Sequence, residues 1–207
     1  MPIEYILGKK NFFGKEFFVD KNVLIPREDT EILVEQVIKY GKPNSKILDL
    51  CTGSGCIAIS LYNHFGDVTA VDICQKALDV AKKNAEKFGT PIKFIQSNMF
   101  QNVQDKFDVI VSNPPYIKTH EIGLHDPSIL LEPKIALDGG GDGLNFYKMI
   151  ANNAKDFLND NGLLALEIGY DQAKDIKNLL EINGWGNIHV IKDTKGCDRV
   201  IIANLEG

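Results

Sequence analysis

Apolar residues recur along this chain at two spacings. From Lys46 to Asn204, short and almost continuous apolar runs alternate with stretches whose apolar positions fall three and four residues apart. The first pattern is that of buried strands and the second that of amphipathic helices. Lys46–Leu50 reads as a strand broken by Gly53-Ser54-Gly55, and Cys56–Phe65 as the helix after it. A second strand is expected over 68–73 and a second helix over Gln75–Phe88, where Ala77, Leu78, Ala81 and Ala85 share a face. A third strand, 92–96, ends before Ser97-Asn98, and a fourth, Phe107–Ser112, ends at Asn113-Pro114-Pro115-Tyr116. A helix over 144–158, a strand over 163–168, a helix over 171–183 and a strand pair at 188–192 and 199–204 complete the series.

Alternating strands and helices at this spacing predict an α/β fold, with a doubly wound, mostly parallel sheet and helices on both faces. Ligands in such sheets sit beyond the carboxyl ends of the strands, near the reversal of strand order. The polar breaks at 49–55, at Asp72, at 97–100 and at 113–116 then share one edge, where a site is expected. Two stretches fall outside the alternation. Residues 5–24 hold Phe12, Phe13, Phe17 and Phe18 around Gly14-Lys15 and read as a β-hairpin laid on the main body. Residues 117–142 form a loop long enough to be a lid or a substrate-binding element. The expected organisation is an N-terminal hairpin and linker, 1–30, packed on a main α/β domain, 31–207.

Composition narrows the class without naming a function. With 207 residues, 44% hydrophobic and 25% charged, the chain matches an ordinary globular domain. Its longest apolar runs are far short of the roughly 20 residues of a membrane span, and its first residues lack a signal-peptide pattern. A cytoplasmic protein, monomeric and without membrane contact, is expected. A net charge of −5 argues against affinity built on neutralising phosphates, so no stable nucleic-acid binding is expected. Cys51, Cys56, Cys74 and Cys197 show no paired spacing; they read as structural, and no metal site is expected.

The chemistry lies at the strand ends. Glycines in 51–55 let the backbone approach a ligand and aim helix N-terminal amides at it. Asp72, at the end of the next strand, can accept both hydroxyls of a ribose. Gly53-Ser-Gly55-Cys-Ile-Ala58 also satisfies a dinucleotide fingerprint, so a nicotinamide enzyme, a nucleoside-binding enzyme and a plain tight turn all remain open on this motif. Asn113-Pro114-Pro115-Tyr116 decides more. Prolines stiffen the backbone and leave carbonyls free, so the Asn113 side-chain oxygen and the Pro114 carbonyl can converge on a planar NH₂ group. Tyr116 adds an aromatic face for a flat amide or base.

This combination resembles class I S-adenosylmethionine-dependent methyltransferases of Rossmann-like fold that act on planar nitrogens, either the exocyclic amine of adenine or the amide of glutamine. Residues 12–19 (FFGKEFFV), 24–31 (LIPREDTE), 131–140 (LEPKIALDGG), 142–144 and 196–200 are similar to the release-factor glutamine methyltransferases, HemK/PrmC type. The resemblance implies a seven-stranded sheet and methyl transfer to a protein glutamine, with the Gly-Gly-Gln glutamine of a peptide chain release factor as target. The alternatives are a ribosomal-protein glutamine and adenine in nucleic acid. It implies that Cys51, Thr52, Gly53, Ser54, Gly55, Asp72, Asn98, Met99 and Asn113 hold the cofactor, leaving S-adenosylhomocysteine as product. Asn113, Pro114, Pro115 and Tyr116 would bind the substrate, with Asn113, Pro114 and Tyr116 catalytic. Arg27, Thr30 and Glu31 look like a wall of the site without an assigned role; a surface ion pair is the other reading for Arg27 and Glu31. His120 and His125 read as surface or substrate-contact residues and not as a base.

Two positions depart from the family pattern. Cys51 replaces a glycine, which suits an ordinary backbone angle, and Asn98 replaces an acid. The family also carries an N-terminal helical domain ahead of the stretch matching residues 2–8, and this sequence does not contain it. The expectation is either an excised catalytic domain or a short form with its own substrate recognition.

Overall fold

In the computed structural model, which describes residues 1–124 and 127–205, the chain opens with a short helix α1 (Ile3–Leu7). A hairpin of β1 (Lys9–Phe12) and β2 (Lys15–Phe18) follows. Its two-residue turn places Phe13 and Gly14 at φ 47° and 71°, the left-handed pair that matches the twist of hairpin strands. After α2 (Glu31–Tyr40) come β3 (Lys46–Leu50), α3 (Cys56–Phe65), β4 (Asp67–Asp72), α4 (Gln75–Phe88), β5 (Lys93–Gln96) and β6 (Phe107–Ser112). The chain ends with α5 (Asn145–Asn153), β7 (Leu158–Glu167), α6 (Ala173–Ile182), β8 (Trp185–Lys192) and β9 (Asp198–Leu205).

β3 to β9 form a seven-stranded sheet ordered β5-β4-β3-β6-β7-β9-β8. Pairing is parallel from β5 to β7, and β9 runs antiparallel between β7 and β8. The expected doubly wound, mostly parallel sheet with its N-terminal hairpin is present. Its core follows the period of two in every central strand. Leu48, Leu50, Ile110, Leu164, Leu166, Ile201 and Ala203 meet α5 and α6 on one face. Ile47, Val109, Val111, Leu163, Ala165, Val200 and Ile202 meet α2, α3 and the hairpin on the other. Phe12 and Phe17 are fully buried in that second core.

Some element bounds differ from the sequence reading. α2 adds to the elements expected above, and the hairpin expected over 5–24 is confined to residues 9–18, because residues 5–7 belong to the helix α1. The helix expected over 144–158 stops as an α-helix at Asn153 and closes with a 3₁₀ turn, Ala154–Phe157. Strand β7 then starts at Leu158, whose buried side chain belongs to the sheet core. No helix among the described residues is long and apolar enough to cross a membrane. The four thiols are free.

Candidate active site

The strand order reverses between β3 and β6, and the polar strand ends converge there. The turn from β3 to α3 is held by a local set of bonds. The Thr52 N–H donates to the Val71 carbonyl at 2.9 Å and the Gly55 N–H to the Thr52 carbonyl at 2.9 Å. The Thr52 hydroxyl donates to Asp49 at 2.6 Å. Asp49 is completely buried, its other oxygen has no partner among the described residues, and burial pushes its carboxyl up to about 7. Gly55 sits at φ +80°, and an added Cβ would lie 3.1 Å from that of Ala81. The glycine therefore lets the turn press against α4. Asn84 of α4 fastens it from below: its amide donates to the Ser54 carbonyl at 2.9 Å and the Phe18 carbonyl at 3.0 Å, and accepts the Phe18 N–H at 2.7 Å.

Cys51 is where the turn differs from expectation. Its φ is +59°, inside the left-handed region that favours glycine, so the ordinary backbone angle is not found. The cysteine carries the conformational cost a glycine would avoid. Its Sγ rests 3.8 Å from the Met99 sulfur, and Met99 is itself left-handed at φ +50°.

A cleft with about 870 Å³ of empty volume opens over this turn. Cys51, Gly53, Asp72, Asn98, Met99 and Asn113 line it, together with Ile73, Ala77, Pro133, Ile135 and Phe146. Thr52, Ser54 and Gly55 do not: Thr52 and Ser54 are buried beneath the turn and serve its geometry. Asp72 accepts the Gly53 N–H through one oxygen and the Cys74 N–H through the other, both at 2.9 Å. Burial raises its pKa, opposed by those backbone N–H groups. No other hydrogen bond to Asp72 is formed among the described residues, which leaves two of its four lone-pair positions for a pair of vicinal hydroxyls. Asn98 is exposed at the rim and Met99 buried below it. Apolar walls, a carboxylate on the floor and open space beside Gly53 suit a nucleoside with a short flexible tail.

Asn113 stands between this cleft and a second chamber of about 440 Å³, which Pro114, Tyr116, Ile117, Arg27, Ile129 and Glu167 also line. Pro115 faces the first cleft. The Asn113 amide nitrogen donates to the Thr30 hydroxyl at 3.2 Å, which leaves its carbonyl oxygen to accept. Tyr116 donates its phenol proton to Glu167 at 3.3 Å, and burial together with that carboxylate pushes its pKa up.

The wall residues gain roles. Arg27 forms an ion pair with Glu132, a buried carboxylate that also accepts the Ile25 N–H at 2.9 Å. The pair is no loose surface contact, because it closes the 117–142 loop onto the chain ahead of α2. Glu31 accepts the Phe13 N–H at 2.8 Å and so ties the hairpin turn to α2. Among the described residues of 117–142, three 3₁₀ turns form, Ile122–Leu124, Ile129–Leu131 and Lys134–Ala136. Ile117 bridges to Asp138. His120 is solvent-exposed, and His125 lies outside the described residues. The sequence reading missed Asn84, Glu132 and Glu167; the last ends a strand at the site edge, a position that could have flagged it.

Comparison with known proteins agrees with this geometry. The methyltransferase small domain family matches residues 27–142. A release factor glutamine methyltransferase of Fusobacterium nucleatum is 45% identical over 98% of this chain and 59% of its own length. Another from Thermodesulfovibrio yellowstonii is 43% identical over 97% of this chain and 75% of its own. Among solved structures, the release factor-specific protein-(glutamine-N5) methyltransferase of Alicyclobacillus acidocaldarius superposes with a TM-score of 0.54 at 30% identity. That match covers 92% of this chain and 100% of that one. The chain thus spans between about three fifths and three quarters of the two relatives' length. The nicotinamide reading of the glycine turn falls away, and the chain belongs to the release factor glutamine methyltransferase family, an enzyme class built on this sheet.

Proposed function

We propose that this chain transfers the methyl group of S-adenosylmethionine to the side-chain amide nitrogen of a protein glutamine, the target being the Gly-Gly-Gln glutamine of a peptide chain release factor. The observation that carries the reading is Asn113. It sits between two chambers, with its amide nitrogen engaged by Thr30 and its oxygen free to accept.

The first cleft fits the cofactor. Asp72 would take the ribose hydroxyls, Met99 and Ile73 would flank the base beside Asn98, and the turn at Cys51 and Gly53 would hold the methionine end. When bound, S-adenosylmethionine supplies an electrophilic methyl group on a sulfonium. In the second chamber Asn113 Oδ1 and the Pro114 carbonyl would take the two hydrogens of the substrate NH₂, with the Tyr116 ring against the amide plane. An amide nitrogen is a poor nucleophile, so fixing its position is the main contribution of the protein. The same acceptors stabilise the positive charge that grows on nitrogen. The alkylated nitrogen is acidic, so no strong base is needed before transfer.

The test is mass spectrometry of a release factor after incubation with the chain and S-adenosylmethionine. A single methyl group on the Gly-Gly-Gln glutamine, absent when that glutamine is replaced by asparagine, supports the reading. Methylation of adenine in nucleic acid with no label on protein overturns it.

A further inference from the structure

Leu24 and Ala136 share with Asn113 the property of lining both the first cleft and the second chamber. All three are half-buried. Asn113 is the polar side of this boundary, and Leu24 and Ala136 are its apolar sides. Together they form a collar between the two cavities, and a group that moves from one to the other must pass it.

Hydrogen bonds hold the apolar sides in place. Ahead of Leu24, the Tyr5 phenol donates to the Val23 carbonyl at 2.5 Å. Just after it, the Ile25 N–H donates to the Glu132 carboxylate at 2.9 Å, and Arg27 forms an ion pair with the same side chain. Glu132 is buried and begins the short stretch that leads to Ala136, so one carboxylate ties the Leu24 side to the Ala136 side. The Ala136 N–H donates to the Pro133 carbonyl at 2.9 Å, and the Leu137 carbonyl accepts the Ile117 N–H at 2.9 Å, directly after Tyr116. Widening the collar would stretch or break these bonds. A wall held in this way discriminates by size, because packed side chains do not absorb an extra methylene freely.

We propose that Leu24 and Ala136 are specificity-determining residues that set the size of the alkyl group delivered to the substrate, so that a methyl group passes and a longer one is refused. The inference rests on the methyltransferase reading of the two cavities. In that transfer the glutamine nitrogen forms the new C–N bond with its lone pair, the C–S electron pair stays on sulfur as an uncharged thioether, and one nitrogen proton leaves to water. Neither Leu24 nor Ala136 carries a polar side-chain atom, so each restrains by contact alone. Truncating either one adds space and removes no side-chain hydrogen bond.

S-adenosylmethionine, its S-ethyl analogue and S-adenosylhomocysteine would be titrated by calorimetry into wild type, Leu24→Ala, Ala136→Gly and Ala136→Val. S-adenosylhomocysteine has no group to place at the collar, so its binding reports an intact fold and cleft. Wild type should bind the ethyl analogue roughly 10- to 200-fold more weakly than S-adenosylmethionine, the range for one extra methylene in a fitted apolar site. Leu24→Ala and Ala136→Gly should each recover about tenfold of that loss and still bind S-adenosylhomocysteine. Ala136→Val narrows the collar, so it should weaken S-adenosylmethionine far more than S-adenosylhomocysteine; equal changes for the two ligands overturn the proposal. In parallel, single-turnover transfer to a Gly-Gly-Gln peptide would compare ethyl with methyl. The ratio of the two rates should rise by about 10- to 100-fold in the widened variants, and comparing variants cancels the lower intrinsic reactivity of an ethyl group. The binding arm needs no acceptor. If wild type alkylates no glutamine while the binding preferences shift as stated, the substrate reading falls and the collar stands. Widened variants that bind S-adenosylhomocysteine yet keep the wild-type preference for methyl in binding and in transfer overturn the collar.

Discussion

Asn113 and Asp72 divide the proposed work, and their removal should leave different signatures. Asn113→Ala deletes an acceptor where positive charge develops, so kcat should fall by roughly 10²–10³, about 3–4 kcal/mol. Cofactor affinity should change much less; single-turnover assays with calorimetry in parallel separate the two. Asp72→Ala should instead weaken cofactor binding by about 2–3 kcal/mol, and an unchanged dissociation constant would remove Asp72 from the site. Both residues were legible because each is a chemically distinct side chain at the end of an apolar run. Thr30 and Glu167 were not legible as partners of the tetrapeptide, for they lie 83 and 51 residues from the groups they meet. Periodicity carries no information about such pairs. The backbone angle at Cys51 was equally hidden, since a small residue in a glycine-rich turn gives no sign of its φ.

The element that most depends on backbone freedom is the turn between β3 and α3. Gly55→Ala adds a Cβ at φ +80° against Ala81, and the left-handed conformation alone costs about 1–2 kcal/mol. Urea denaturation should show a loss of at least that size. Asn84 supports the same turn from α4. Asn84→Ala removes three hydrogen bonds and strands the buried Ser54 carbonyl and half-buried backbone groups of Phe18, a loss of about 2–3 kcal/mol on the scale of unsatisfied buried groups. At this scale β3, α3, α4 and β6 were read with their observed bounds, because their apolar spacing is undisturbed. The end of α5 was not, since a 3₁₀ turn preserves apolar positions while changing the bonding. Helix α2 carries legible spacing at Leu33, Val34 and Val37, but it follows the turn-like stretch 26–30.

For the molecule as a whole, the sheet was predicted in class by alternation, whereas the order of its strands depends on which edges pair. That is decided by packing between segments far apart in sequence. Two of the carboxyls that the fold buries, Asp49 and Glu167, are pushed up to about 7 from ordinary values of 3.8 and 4.5. Folded protein then holds protons that unfolded chain has released, so their contribution to stability is full below about 4 and is lost as pH rises through about 7. The expected melting temperature is higher at pH 5.5 than at pH 8, and Asp49→Asn should flatten the difference. The Asn84 clamp has a consequence for motion. One side chain grips both the hairpin, at Phe18, and the glycine turn, at Ser54. A ligand that quiets the turn must therefore also slow the opening of the hairpin. Deuterium uptake in the amides of β1 and β2 should slow when S-adenosylmethionine is added, though neither strand borders the cleft, and in Asn84→Ala that distant slowing should vanish while protection at residues 51–55 persists.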